Sequence, residues 1–151
     1  MILHMLLEGG ARLTAKILLQ NLTEVPTRIV PVFLPYLEKD MVFERDAGHE
    51  KTLLHWAAEL GISTLTTRCL ELGANIDATD KYGETALHYA AENGHLDIVQ
   101  ILVQANADDT ISDSHGRTAL DCAQRIGPGG GRRSYPDMVA YLSRTGTIKS
   151  G

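Results

Sequence analysis

The chain has 151 residues, of which 44% are hydrophobic and 22% are charged, with a formal net charge of −5. This length and composition suit one globular domain and exclude a chain that is disordered throughout. No run of about eighteen apolar residues and no secretory signal are recognisable, so the sequence predicts a cytoplasmic or nuclear protein without membrane insertion, in which Cys69 and Cys122 are reduced.

The charge is distributed unevenly along the chain. Residues 71–113 contain one basic residue, Lys81, and nine acidic residues, which gives a net charge of −8. Residues 114–151 contain six basic and two acidic residues, which gives +4. Because the basic end lacks the interleaved aromatic residues on which single-stranded nucleic acid stacks, we expect no nucleic-acid partner.

One type of helix end recurs from the N-terminus onward. Each copy has two apolar residues, then Glu or Gln, one further residue, and finally Gly, Asp or Asn. The final residues are Gly10, Asp40, Gly73 and Asn106, spaced 30, 33 and 33 residues apart. Gly, Asn and Asp adopt the left-handed conformation at the least cost, so each of these residues is predicted to cap a helix.

A second pattern marks the start of three units. Thr-Leu-Leu-His-Trp-Ala-Ala begins at Thr52, returns at Thr85 as Thr-Ala-Leu-His-Tyr-Ala-Ala, and returns at Thr118 as Thr-Ala-Leu-Asp-Cys-Ala-Gln. A glycine follows each Thr after nine residues, at Gly61, Gly94 and Gly127. Each Thr is therefore predicted to be the N-cap of a first helix of about eight residues.

A second helix and a polar turn complete each unit. The apolar positions between Leu96 and Val103 give such a second helix one broad buried face. The polar stretches 78–84 and 112–117 are predicted to form β-hairpins or turns. A helix pair this short cannot bury its apolar face alone, so neighbouring units must stack.

The 33-residue unit resembles the ankyrin repeat through Thr-x-Leu-His-x-Ala-Ala, Gly-His-Leu-x-Ile-Val and Gly-Ala-Asn-Ile-Asp-Ala. The resemblance implies an all-α solenoid of stacked helix-turn-helix units with β-hairpin loops. We expect one domain over residues 1–145 and a flexible tail over 145–151. Its parts are a partial repeat (1–13), a degenerate repeat (14–45) and three further repeats (46–79, 80–112 and 113–144).

Three segments depart from this pattern. Pro26, Pro31 and Pro35 exclude a straight uninterrupted helix in the degenerate repeat. Seven extra residues around the Gly- and Arg-rich stretch 128–134 predict a longer loop between the two helices of the last repeat. The apolar start, 1–7, predicts self-association through an uncovered N-terminal helix, the alternative being a fraying helix of a truncated chain.

No residue pattern points to catalysis, a metal or a cofactor. The resemblance implies that His55 and His88 form hydrogen bonds within their own repeat and to the next one, whereas Asp121 takes that place in the last repeat. The stretch 128–134 could cradle a phosphate if the chain were an enzyme or a regulatory piece of one. It lacks the P-loop sequence, so a surface loop is favoured.

The resemblance implies binding of a partner protein through a concave groove formed by the first helices and the hairpin tips. The exposed positions of the family correspond to His49, Lys51, Lys81, Tyr82, Glu84, Ser114, His115 and Arg117 on the tips and to Glu59, Leu60, Glu92, Asn93 and Arg125 on the groove. Trp56 and Tyr89 are expected to be half-buried between first helices, or to form an aromatic rim. The alternative function is that of a regulatory or spacer fragment of a larger multidomain protein.

Overall fold

A computed structural model of the chain describes residues 30–124 and 135–149. The helices in these ranges are α1 (Val30–Phe33), α2 (Leu53–Leu60), α3 (Ser63–Glu71), α4 (Ala86–Asn93), α5 (Leu96–Gln104), α6 (Ala119–Ala123) and α7 (Pro136–Lys149), with 3₁₀ helices at Leu34–Tyr36 and Lys39–Phe43. The predictions for 1–29, for Arg125 and for the 128–134 loop lie outside the described residues.

The helices pack in two layers. The first helices α2, α4 and α6 contact one another in sequence, and the second helices α3, α5 and α7 do the same. Each first helix also packs on the second helix of its own unit. This arrangement confirms the predicted all-α solenoid of stacked helix pairs.

The core lies between the two layers. Its first-helix side consists of small and branched apolar residues, of which Ala57, Ala58, Ala90 and Ala91 are fully buried. The second helices contribute larger side chains such as Leu65 and Leu102. Because alanine has the smallest apolar side chain, a pair of alanines in each first helix lets neighbouring units approach closely.

The first two full units end their first helices as predicted. Gly61 and Gly94 adopt the left-handed conformation, with φ of 73° and 78°, and donate their N–H groups to the carbonyls of Ala57 and Ala90. A Cβ atom on Gly61 would also lie 2.6 Å from Cε1 of His95, which donates from Nε2 to the Glu59 carbonyl across the repeat boundary. Glycine is therefore required there for conformation and for space.

The predicted caps at Gly73 and Asn106 are confirmed by φ values of 85° and 67°. The prediction for Asp40 is wrong, because this residue lies in the first turn of the 3₁₀ helix Lys39–Phe43. An acidic residue near a helix N-terminus is favourable, so the same residue type can open a helix as well as end one. α6 is also shorter than predicted, with five residues.

The tips between units are tight turns rather than hairpins with paired strands. Backbone hydrogen bonds from Asp80 N to Glu84 O (3.0 Å) and from Asp113 N to Arg117 O (2.9 Å) close two of them. The first tip has a single antiparallel bridge between Arg45 and Thr52. The sequence predicted β-hairpins or turns, and these tips are turns.

Glu50 adopts a strained conformation in the first tip. Its φ is 59°, whereas Gly83 and Gly116 occupy the equivalent positions with φ of 77° and 73°. The left-handed conformation costs a residue with a side chain roughly 1–2 kcal/mol. Part of this cost remains in a Glu50→Gly variant, because glycine loses more conformational entropy on folding.

Glu50→Gly is therefore expected to raise the free energy of unfolding by about 0.5–1 kcal/mol in urea titrations. Gly116→Ala is the matched control, because a Cβ there meets no atom within 4 Å and the cost is purely conformational. This variant should lose about 1 kcal/mol. Destabilisation by Glu50→Gly would show that the first tip does not adopt the left-handed conformation.

Candidate partner-binding surface

His55 connects its own helix start to the next repeat. Its Nδ1 accepts the Thr52 N–H at 3.0 Å and lies 2.8 Å from Thr52 Oγ1. The ring proton is therefore on Nε2, which donates to the Glu84 carbonyl at 3.0 Å. Burial lowers the pKa of His55 to about 4, so the ring is neutral at neutral pH.

His88 makes the equivalent contacts one repeat later. Its Nδ1 accepts the Thr85 N–H at 3.2 Å, and its Nε2 donates to the Arg117 carbonyl at 3.0 Å. In the last repeat, Asp121 accepts from the Thr118 N–H and hydroxyl, both at 2.9 Å. The aspartate thus caps its own helix, and its side chain is exposed, whereas the two histidines are buried.

A carboxylate that the sequence analysis missed organises each tip. Asp46, Asp80 and Asp113 each accept two backbone N–H groups of the turn through Oδ1. The signal was present in the sequence, because an Asp stands six residues before Thr52 and five before Thr85 and Thr118. Asp and Asn side chains commonly close turns in this way.

The second carboxylate oxygen of each tip aspartate binds a side chain. Asp46 Oδ2 accepts the Trp56 indole N–H at 3.1 Å, and Asp80 Oδ2 accepts the Tyr89 hydroxyl at 2.8 Å. Asp113 Oδ2 accepts from Arg117 Nε at 2.8 Å. These bonds fix the tips against the first helices or within the turn, so the tips are held rigidly.

The pKa of Asp113 reflects this network. Burial on its own would raise the pKa of the carboxyl group, but the hydrogen bonds from Arg117 and from the His115 N–H outweigh burial and lower it to about 2. Asp113 is therefore ionised throughout the neutral range. Its negative charge is paired with Arg117 of the same tip.

The prediction that Lys51 is an exposed tip residue is wrong. Only 6% of the residue is exposed, and its Nζ lies 2.7 Å from Glu59 Oε2. The ammonium group also lies 4.5 Å from the Trp56 ring centroid and 4.0 Å from that of Tyr89. A carboxylate and two aromatic faces together compensate for the lost hydration, so this lysine can turn inward.

Glu84 and Arg117 were also predicted to be exposed on the tips, and both are half-buried. Arg117 Nη2 lies 2.6 Å from Asp113 Oδ2 and 3.4 Å from Glu84 Oε1. The arginine therefore joins its own tip to the preceding one. Burial, together with the charges of Asp80 and Glu92, raises the pKa of Glu84.

The other predicted tip residues are exposed. They are His49, Lys81, Tyr82, Ser114 and His115. Backbone hydrogen bonds join successive tips, from Lys81 N to His49 O at 3.1 Å and from Ser114 N to Tyr82 O at 2.9 Å. The structure thus brings these five side chains into one continuous row.

The predicted groove residues differ in their exposure to solvent. Glu59, Leu60 and Glu92 are half-buried and Asn93 is exposed. Trp56 is half-buried as expected, whereas Tyr89 is buried. We use the term candidate surface for the exposed tip residues together with the predicted groove residues that the structure describes: His49, Glu59, Leu60, Lys81, Tyr82, Glu92, Asn93, Ser114 and His115.

The described residues offer neither a reactive thiol nor a group of metal ligands. Burial raises the pKa of Cys69 to about 12 and that of Cys122 to about 11, so neither thiol is a ready nucleophile. No three His, Cys, Asp or Glu side chains in residues 30–124 and 135–149 are grouped so as to hold a metal ion. None of the helices described there is long and apolar enough to cross a membrane.

Comparison with known proteins identifies the family. A family model for ankyrin repeats, described as three copies, matches residues 3–113 and 54–149. None of the curated proteins compared matches the chain. The matched segments together cover nearly the whole sequence, and the repeat geometry described above is the one that the motif implies. The chain therefore belongs to the ankyrin repeat family.

Proposed function

We propose that this chain binds a partner protein through the candidate surface. Ankyrin repeats are in general protein–protein interaction modules, and the extended surfaces of solenoids suit this role. The observation that carries the proposal is the position of the accessible side chains. They follow the joined tips and the ends of the first helices, and all of them except Leu60 lie outside the hydrophobic core.

Tyr82 supports the proposal most clearly. It is a large aromatic residue, 41% exposed, on a tip that is fixed by hydrogen bonds on both sides. Aromatic residues held rigidly at a surface are enriched among those that dominate binding energy. The stack does not need this ring for its core, so recognition is the role that we assign to it.

The buried free thiols of Cys69 and Cys122 support a further part of the proposal, namely that the protein works in the cytoplasm or nucleus, where thiols stay reduced. Self-association through the N-terminal segment stays a proposal, because residues 1–29 lie outside the described ranges. The candidate surface requires no cofactor, and we assign it no catalytic role.

Affinity capture from the source cell followed by measurement with the purified partner tests the proposal. Tyr82→Ala is expected to weaken binding at least about tenfold, because it removes a central aromatic contact. Tyr36→Ala is the matched control, since Tyr36 is 45% exposed but lies in the 3₁₀ helix Leu34–Tyr36 away from the tips. Equal affinities of the two variants would contradict the proposed surface.

A further inference from the structure

The backbone of Tyr82 in the second tip is held on both sides. Its N–H is accepted by Asp80 Oδ1 at 2.9 Å, and its carbonyl accepts the Ser114 N–H of the next tip at 2.9 Å. Asp80 Oδ1 also accepts the Glu84 N–H at 2.9 Å, across the same turn. The direction in which the exposed Tyr82 side chain leaves the tip therefore depends on where the Asp80 carboxylate lies.

The Asp80 carboxylate is in turn held by Tyr89 of α4. The Tyr89 hydroxyl donates to Asp80 Oδ2 at 2.8 Å, and the two residues are only 7% and 6% exposed. Burial, together with the hydrogen bond to Asp80 and the charge of Glu84, raises the pKa of Tyr89, so the hydroxyl keeps its proton and remains a donor. A hydrogen bond to a carboxylate is stronger away from water, so this bond fixes the carboxylate.

The Tyr89 ring is fixed by contacts that do not need its hydroxyl. The His55 ring meets it edge to face, with centroids 5.9 Å apart, and Lys51 Nζ lies 4.0 Å from its centroid. A phenylalanine ring at this position would keep both contacts. Removal of the hydroxyl alone therefore separates its hydrogen bonds, to Asp80 and to the Glu84 side chain, from the packing of the ring.

The other two tips lack this connection to an exposed aromatic ring. Asp46 of the first tip is bound by Trp56 of α2, but residues 46–51 include no Tyr, Phe or Trp. Asp113 of the third tip is bound by Arg117 of the same turn, and residues 113–117 include none either. The second tip thus combines a carboxylate anchored to a first helix with the exposed Tyr82.

We infer that the Tyr89 hydroxyl is a positioning group for partner binding, an inference that rests on the proposed function. It acts through Asp80, which holds the Tyr82 N–H, and the buried Tyr89 itself stays out of contact with the partner. Without the hydroxyl, the Asp80 carboxylate can shift and the second tip samples further conformations. Ordering of the tip on binding then lowers the affinity.

Amide exchange of the free full-length chain, followed by NMR, is the first test. Tyr89→Phe should make exchange about threefold to tenfold faster at Tyr82 and Glu84, whose N–H groups Asp80 holds, while the amides of α5 keep their rates. Tyr141→Phe is the matched control, since it removes a hydroxyl from a half-buried tyrosine of α7, and should change the same rates less than about twofold. Unchanged rates at Tyr82 and Glu84 in Tyr89→Phe would overturn the inference.

A double-mutant cycle on the affinity for the purified partner captured from the source cell is the second test. Tyr89→Phe should weaken binding about threefold to tenfold in the unchanged chain, and less than about twofold when Tyr82 is already alanine. Equal weakening in both backgrounds would overturn the inference, because the hydroxyl would then act through the Glu84 side chain or the stack rather than through Tyr82.

The inference and the proposed function fail separately. If Tyr82→Ala weakens binding but Tyr89→Phe does not, the candidate surface stands and the positioning role of Tyr89 is wrong. If Tyr82→Ala leaves the affinity unchanged, the proposed function is wrong and the role of Tyr89 in binding falls with it.

Discussion

Replacement of His88 by alanine is expected to lower the free energy of unfolding by about 1–3 kcal/mol. The residue is 2% exposed and accepts the Thr85 N–H while donating to the Arg117 carbonyl. The variant leaves these buried backbone groups without their partner and also opens a cavity between two repeats. Both effects destabilise the boundary on which the stacking depends.

Tyr82→Ala provides the control for this measurement. Its side chain is exposed on a tip, where substitutions usually change stability by no more than about 0.5 kcal/mol. Urea midpoints of the two variants and of the unchanged chain give the comparison directly. If Tyr82→Ala were the more destabilising change, the assignment of His88 to the stack and of Tyr82 to the surface would be reversed.

Acidification from pH 7 to pH 5 is expected to cost about 2 kcal/mol of stability through His55 alone. The pKa of this ring is about 4 in the folded chain, against an ordinary value of 6.5. The unfolded chain therefore binds more protons between these values, and the folded state loses stability as the pH falls from 6.5 toward 4. Above pH 6.5 the contribution is fully present.

A His55→Gln variant isolates this effect. Glutamine does not titrate, so the difference in stability between the unchanged chain and the variant should shrink on acidification by about the same 2 kcal/mol. The contribution of Glu84 to the pH dependence cancels in this comparison, because the residue is present in both proteins. Its raised pKa would otherwise act in the opposite direction. Asp113 contributes almost nothing in this range, because both its pKa of about 2 in the folded chain and its ordinary value of 3.8 lie below pH 5. A difference that is constant from pH 7 to pH 5 would contradict a buried neutral His55.

The repeat positions could be read from the sequence because they depend on local chemistry. Gly61, Gly94 and Asn106 cap helices through their own backbone preferences. Thr52 and Thr85 are extended N-cap residues whose N–H groups are accepted by the histidine three residues later. These local preferences recur with the 33-residue period of the repeat. They are visible without knowledge of any neighbour in space.

The accessibility of the surface could not be read in this way. Lys51, Glu84 and Arg117 occupy equivalent positions in three repeats, and each turns inward because of charged or aromatic residues elsewhere in its own repeat or in an adjacent one. Lys51 depends on Tyr89 of the next repeat, and Arg117 on Glu84 of the preceding one. Only the folded stack brings these groups together.

Amide hydrogen exchange of the chain with and without its captured partner shows which part of the solenoid the partner covers. We expect slower exchange in the tips 48–50, 81–83 and 114–116 and at the ends of α2 and α4, with the second helices α3 and α5 unchanged. Protection confined to α3 and α5, or no protection at the tips, would contradict partner binding through the candidate surface.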